Sequence, residues 1–292
     1  MKKVFFTGPN GFMGTKLIRF MKVNRPDYEF HEYTGSIENL SELREAFSKN
    51  IWDFVIHFAA ISHVSDCEND PQKAFQVNTL GSVHLAHLIA DSGFSGLLIF
   101  ASTSFIFEYN SASEKIEITE ASKERPKNVY SRSKHFAEVV FKALSEYTNC
   151  SVCVLRLFNH THISQSPKFF LPSVYQQILK AKDGDEIRVG NLDIERDFSL
   201  ISDFNRFVMN ALESKRRLKF EIVNLSSGRV RNLRVLVVKL IQRSGKNLKI
   251  VQDSALFRSN DPRSILGKFK TSYNNNLSDD QFIDEFIKDD VV

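Results

Sequence analysis

Val4-Phe5-Phe6-Thr7-Gly8-Pro9-Asn10-Gly11-Phe12-Met13-Gly14 is the stretch that decides the fold. Three apolar residues read as a short strand, and three glycines follow at once. Leu17, Ile18 and Met21 then mark the apolar side of a helix. Glycines at 8, 11 and 14 let the backbone turn tightly from strand to helix. They also let a pyrophosphate approach the helix N-terminus, where unpaired N–H groups and the helix dipole favour an anion. A glycine-rich turn without a ligand is the competing reading, and the strand–turn–helix context weighs against it.

Outward from this turn, strand and helix patterns alternate. Residues 27–34 read as a second strand, followed almost at once by a helix with Leu40, Leu43, Ala46 and Phe47 on its apolar side. An acidic residue for an adenosine ribose has only Glu32 as a near candidate, and no arginine cluster stands there for a 2′-phosphate, so NAD and NADP both stay open. The run 52–61, WDFVIHFAAI, has the near-continuous apolar character of a central parallel strand. His57 within it reads as a satisfied core histidine. Ala59 and Ala60 are small enough at the strand's end for a cofactor to lie against the backbone. A helix over 71–90 carries Asn78, either as a surface polar residue or as a brace for the strand ends. Residues 96–101 form the next buried strand and end in Ala101-Ser102-Thr103-Ser104, while 109–128 read as a polar loop over the site. A strand over 151–158 completes the pattern. Alternation through residue 158 predicts an α/β fold, a doubly wound parallel sheet of Rossmann type.

Tyr130-Ser131-Arg132-Ser133-Lys134 lies between the last two of those strands. A tyrosine and a lysine four apart share one helix face. An ammonium near a phenol favours the phenolate by opposite-charge attraction, which makes the pair an acid/base group for an alcohol and carbonyl couple. Such a pair alone is a weak signal. The glycine turn and the hydroxyl cluster 102–104 strengthen it.

Beyond residue 159 the alternation breaks, and a smaller C-terminal α+β lobe is expected: a loop at 159–170, helices near 203–214 and 232–244, and a strand at 220–225. The expected division is 1–158 for dinucleotide binding and 159–292 mainly for substrate, with segments near 191–205 returning to the first domain. His160 and His162 lack a third ligand at metal spacing and read as part of a solvated loop, so no metal site is expected. The tail through Phe282 and Phe286 reads as peripheral. Cys67, Cys150 and Cys153 are too few for a disulfide framework, and the C-x-x-C at 150–153 flanks a buried strand with no zinc partners. A net charge of +4 spread over 292 residues implies neither a nucleic-acid nor a membrane partner. With no signal-peptide pattern and no long apolar span, a cytoplasmic setting is expected.

Taken together, Thr7-Gly8-x-x-Gly11-x-x-Gly14, His57-Phe58-Ala59-Ala60, Val77-Asn78, Tyr130-x-x-x-Lys134, Leu155-Arg156-x-Phe158-Asn159 and Arg196-Asp197-Phe198 resemble the extended short-chain dehydrogenase/reductases that act on nucleotide-linked sugars. The resemblance covers nearly the whole chain. It implies that Gly8, Asn10, Gly11, Phe12, Met13 and Gly14 cradle the coenzyme pyrophosphate and that Ser36 and Ile37 flank the adenine. Phe58, Ala59, Ala60, Ser62 and Asn78 would line the nicotinamide half, and Phe158 would close over it. Thr103, Tyr130 and Lys134 would be catalytic, with Tyr130 and Lys134 also touching the coenzyme, NAD or NADP in reduced form. Ser104, Phe105, Asn159, Arg196 and Arg258 would meet a nucleotide-diphosphate sugar. The resemblance is nearest to GDP-6-deoxy-D-mannose reductase-like 4-keto reductases of surface polysaccharide biosynthesis, through 159–167 and 189–198. Departures are Ser36 for an aspartate, Phe107-Glu108 for Tyr-Gly and His162-Ile163 for Gly-Pro. Family members pair through two helices, here 71–90 and 130–147, so a homodimer is implied.

Three functions compete at this level. One is reduction of the C4 carbonyl of a 4-keto-6-deoxyhexose. A second is a 4-epimerase or 4-dehydrogenase acting on a hexose or heptose nucleotide. The third is a non-catalytic cofactor-binding protein, which would have no need of a proton donor at 130.

Overall fold

A computed structural model describes residues 1–109, 115–215, 217–257, 262–271, 273 and 276–288. Its first strand and helix form where the glycine turn predicts them, as β1 (Lys2–Thr7) and α1 (Phe12–Asn24). β2 (Tyr28–Tyr33), α2 (Leu40–Phe47) and β3 (Phe54–His57) follow. α3 (Val64–Asn69) and α4 (Pro71–Phe75) lead through a π-helical turn, Gln76–Leu80, into α5 (Gly81–Asp91). Then come β4 (Leu97–Thr103), β5 (Lys115–Ile118), α6 (Val129–Tyr147) and β6 (Ser151–Leu157). The C-terminal half holds β7 (Asn159–Thr161), α7 (Phe170–Lys180), β8 (Glu186–Val189), β9 (Glu195–Leu200) and α8 (Ile201–Glu213). It continues with β10 (Phe220–Leu225), β11 (Val230–Asn232), α9 (Leu233–Ser244), β12 (Lys249–Gln252), β13 (Ser264–Gly267) and α10 (Asp279–Ile287).

The main sheet has six strands in the order β10-β6-β4-β3-β1-β2. Every pairing in it is parallel. Apolar clusters cover both faces: Leu85, Ile89, Leu98 and Phe141 on one, Leu17, Met21, Ile56 and Phe204 on the other. Burial on both sides explains why β3 and β4 read as unbroken apolar runs. The strand order reverses between β1 and β3, and a crevice opens there at the carboxyl ends. Gly8 sits at its floor with φ +79°, and a Cβ on it would lie 2.5 Å from the Ala59 nitrogen. No other residue fits that turn without moving β3.

Four expectations for the remainder change. The strand at 220–225 is not part of the lobe: β10 pairs with β6 and forms the edge of the main sheet. α8 packs on the same sheet through Phe204, Val208 and Leu212. The returning segment is therefore Ile201 to Leu225, whereas β9, within the expected 191–205, pairs with β7, β11 and β13 in a second sheet. Second, the polar stretch 109–128 contains β5, which pairs with β13. Its four-residue alternation, Lys115 and Glu117 outward with Ile116 and Ile118 inward, is too short to stand out among charged neighbours. Third, the loop at 159–170 begins with β7, and its histidines are buried: His160 hydrogen-bonds Tyr273, and His162 hydrogen-bonds Ser164. Backbone pairing to β9 carries them inward, which sequence polarity does not reveal. Fourth, the tail is core. Phe282, Ile283 and Phe286 pack with Leu236 and Leu240 of α9, under a buried Arg231 that is ion-paired to Asp279.

No helix of the described residues is long and apolar enough to cross a membrane. Because Phe286 is fully buried, Phe286→Ala leaves a cavity and is expected to cost about 3–5 kcal/mol. Urea unfolding checks this; a change below about 0.5 kcal/mol, the range of surface substitutions, would restore the peripheral reading.

Candidate active site

Each part of the site is held by an ordinary local device. At the end of β4, the Thr103 hydroxyl accepts a hydrogen bond from Phe105 N at 3.2 Å. α6 starts at a capping box: the Asn128 side chain accepts from Ser131 N at 2.8 Å, and Ser131 Oγ accepts from Asn128 N at 3.3 Å. That fixes Tyr130 in the first turn and Lys134 one turn on, both buried. Asn78 lies in the π-helical turn, a feature common at functional sites. Its Oδ1 accepts from Ile61 N at 2.8 Å, and its Nδ2 donates to Ile61 O at 3.0 Å and Ser133 Oγ at 2.9 Å. Of its two readings, Asn78 is thus the brace: it ties the segment after Ala60 to α6, with both ends of its amide engaged.

The electrostatics differ from the expectation. Burial pushes the Tyr130 phenol up to about 12, and what pulls it down is the Thr103 hydroxyl, not Lys134. Burial also drives the Lys134 amine down to about 7, opposed by Glu138. The lysine turns toward the sheet, with Nζ 4.1 Å from the Phe100 ring centroid. Glu138, four residues further along α6, grips Arg156 of β6 at 2.7 Å and accepts from Ser102 Oγ. Arg156 reaches on to Glu124 at 2.7 Å. This buried chain under the Tyr–Lys face was not read from sequence, although a carboxylate at i+4 from Lys134 was its signal. Cys67, to which the sequence assigns no role, is fully buried beside Tyr130.

His57 behaves as read: Thr7 Oγ1 is 2.6 Å from Nδ1 and Ser82 Oγ is 3.0 Å from Nε2. Burial holds the ring neutral, at about 3. Phe105 stands over the tyrosine, with ring centroids 6.4 Å apart, and Tyr109 donates to the Ser104 carbonyl at 2.9 Å. Phe158 packs against Phe269, centroids 5.5 Å apart, and Ile37 sits under Gly81 while Ser36 and Ser62 face solvent. Across the crevice, Asn159 Nδ2 donates to the Asp197 carbonyl at 3.0 Å and Arg196 Nη1 to the Glu195 carbonyl at 2.7 Å. The Asp197 carboxylate is buried, pushed up to about 6 by that burial and pulled back by Ser227, Gly228 and Gly267 donors. It pins β9 to β13 and so fixes the backbone of Arg196. Arg258 lies outside the described residues. Among the described residues, no cluster of three metal-ligating side chains occurs.

The glycine turn fits the pyrophosphate of a dinucleotide. A Cβ at Gly14 would lie 2.3 Å from the Gly8 carbonyl, so α1 begins hard against the turn; Gly11 is exposed and its nearest neighbour would stand at 3.4 Å. Close packing at 8 and 14 with open backbone at 11 is the arrangement that brings an anion to the N–H groups of a helix start.

Lys134 has a consequence for stability. Its folded value lies below the ordinary 10.5, so folding must discharge it, and that handicap is complete below about pH 7 and fades as pH rises toward 10.5. Lys134→Met is expected to stabilise the coenzyme-free chain by about 3 kcal/mol at pH 6 and by much less at pH 10. Urea midpoints at the two pH values check this; a gain that does not shrink with rising pH contradicts it.

Comparisons with known proteins agree on the kind of protein this is. GDP-6-deoxy-D-mannose reductase of Pseudomonas aeruginosa is 28% identical over 278 residues, covering 91% of this chain and 88% of the relative. UDP-glucose 4-epimerase of Mycoplasma genitalium is 28% identical over 240 residues, 75% of this chain and 69% of the relative. The solved structure of RMD from Pseudomonas aeruginosa complexed with NADPH superposes with a TM-score of 0.81 at 25% identity, covering 92% of this chain and 90% of that one. The family model described as GDP-mannose 4,6 dehydratase matches residues 7–284, and with the parallel sheet, glycine turn and Tyr130–Lys134 helix in place, the chain belongs to that family of nucleotide-sugar-modifying enzymes.

Proposed function

We propose that this protein reduces the C4 keto group of a nucleotide-linked 4-keto-6-deoxyhexose, with NADPH or NADH as hydride donor. The observation that carries the reading is the pairing of one proton donor, Tyr130, with an aromatic wall at Phe105. Gly8, Gly11 and Gly14 hold the coenzyme pyrophosphate, and Phe58 to Ala60 line the nicotinamide side. The coenzyme supplies hydride when bound. Tyr130, kept protonated at neutral pH by burial, gives its proton to the C4 oxygen as negative charge develops there. Thr103 donates a hydrogen bond to the same oxygen, and Lys134 holds the nicotinamide ribose. Asn159 and Arg196 grip the nucleotide diphosphate; a guanidinium fork matches phosphate oxygens.

A dehydratase also needs residues that take a proton from C5 and return one to C6. A reductase that epimerises C3 and C5 needs an acid/base group near the same place. Ser104 and Phe105 follow the Thr103 hydroxyl and offer neither at neutral pH. Tyr130→Phe is expected to lower kcat by 10²- to 10⁴-fold with coenzyme affinity nearly unchanged. With candidate 4-keto-6-deoxy sugar nucleotides in deuterated water, coenzyme oxidation should match product formation and no deuterium should enter at C3 or C5. Deuterium at C5, or turnover without net coenzyme change, would sink the reductase reading in favour of a dehydratase or epimerase.

The chain is also proposed to work as a homodimer through α5 and α6. Val140, Phe141 and Leu144 turn inward, but Phe136 and Val139 are 50% and 55% exposed, beside Leu80 at 43% and Val83 at 39%. Exposed apolar side chains on α6, α5 and the π-helical turn that leads into it, elements in mutual contact, mark an association surface. Phe136→Asp with Val139→Asp should halve the mass measured by light scattering at micromolar concentration; a wild-type chain already monomeric there would refute the dimer.

A further inference from the structure

One cavity beside the glycine turn reaches past the pyrophosphate cradle to residues with no role so far, Arg19 and Lys22. It measures about 430 Å³, and its lining includes Pro9 and Asn10 of the turn, Thr15, Arg19 and Lys22 of α1, and Glu32 of β2. Glu32 is in register with Phe6, two residues before Gly8, so the cavity flanks the carboxyl ends of β1 and β2. In a sheet whose first turn takes a pyrophosphate, the adenosine ribose lies at the end of the second strand, where an acidic residue takes a free 2′-hydroxyl and an arginine accommodates a 2′-phosphate.

The charges in the cavity decide between these. Glu32 is the carboxylate of the lining, and Lys22 Nζ stands 3.1 Å from its Oε1. That ion pair neutralises the group that would otherwise repel a phosphate. Arg19, one turn nearer the start of α1, makes no hydrogen bond or ion pair among the described residues. Long side chains on a helix lean toward its N-terminus, which carries the Arg19 guanidinium toward Pro9 and Asn10. Arg19 is therefore an unmatched cation at the ribose edge. A ribose with a free 2′-hydroxyl leaves it unmatched, whereas a 2′-phosphate brings acceptor oxygens that suit a guanidinium fork.

Resting on the dinucleotide reading of the glycine turn, we propose that Arg19 binds the 2′-phosphate of NADPH, that Lys22 permits this by neutralising Glu32, and that the protein prefers NADPH over NADH. The sequence hides this arrangement. Arg19 and Lys22 lie in α1, before β2, whereas a phosphate-binding arginine is usually sought after the end of that strand.

The test is coenzyme affinity, read as nicotinamide fluorescence on titration of the full chain, with no turnover required. The wild type should bind NADPH at least about tenfold more tightly than NADH, the scale of one charge-assisted contact. Arg19→Met should remove about tenfold of the NADPH affinity and leave NADH within twofold, which also shows that the variant is folded. Lys22→Met should weaken NADPH alone, and adding Glu32→Gln to it should restore the loss. Equal affinity for the two coenzymes in the wild type, or equal losses for both in Arg19→Met, overturns the assignment. Failure to bind either coenzyme overturns the dinucleotide reading itself, and this inference with it.

Discussion

The contact on which the rest depends is backbone against backbone: Gly8 of the first turn lies against Ala59 at the end of β3, with no room between them for a methyl group. That approach closes the floor of the crevice at the point where the strand order reverses. It also sets where α1 begins, because Gly14 must in turn clear the Gly8 carbonyl. With the turn fixed, the ends of β1 and β3 come level, β4 runs on past them to Thr103, and Thr103 arrives opposite the first turn of α6. The site owes its geometry to the absence of two side chains as much as to the presence of three.

What was legible in the sequence follows from what has period or punctuation. The glycine turn, the apolar strands of the sheet and the Tyr130–Lys134 helix each carry a local signal and formed at the expected places, although the apolar run 52–61 yields a strand only over Phe54–His57 because the chain leaves the sheet at Phe58. The illegible parts depend on partners far away in the chain. β5 exists because β13 lies beside it, and β10 joins the main sheet because β6 offers an open edge. His160 and His162 are polar in sequence and buried in fact, since β7 is drawn against β9. Phe282 and Phe286 form an apolar face whose partner, α9, cannot be identified from the tail alone. Beyond the glycine turn and the Tyr130–Lys134 pair, roles for individual site residues were assigned only through resemblance to a family. Their charge states were not, because burial outweighs neighbouring charge at both Tyr130 and Lys134.

Beneath those two residues the protein tolerates an uncommon concentration of buried charge. Glu138 and Arg156 are almost fully inaccessible, and their pairing is bidentate, with Ser102 and Glu124 taking further positions. Such pairs seldom improve on apolar packing for stability, and breaking one by removing a single partner is costly. What this one provides is fixed relative placement of β4, β6 and α6, the three elements that carry Thr103, the Phe158 segment and Tyr130. Rigid support of this kind suits chemistry that tolerates little displacement of the reacting groups.

The edge position of β10 has a consequence for how the chain is made. A ribosome delivers β6 well before β10, and the whole of the lobe's first half emerges between them: in the finished sheet Val152 pairs with Phe220. Until then β6, with Val152 through Leu155 apolar on both faces, is an unpaired edge on a nascent sheet. Such an edge is a template for pairing with another chain. The charges at the start of the strand that finally covers it, Lys219 just before β10 and Glu221 within it, come too late to guard it during synthesis. Expression of this protein is therefore most vulnerable to aggregation in the interval between those two strands, and truncations that end inside the lobe would leave that edge open for good.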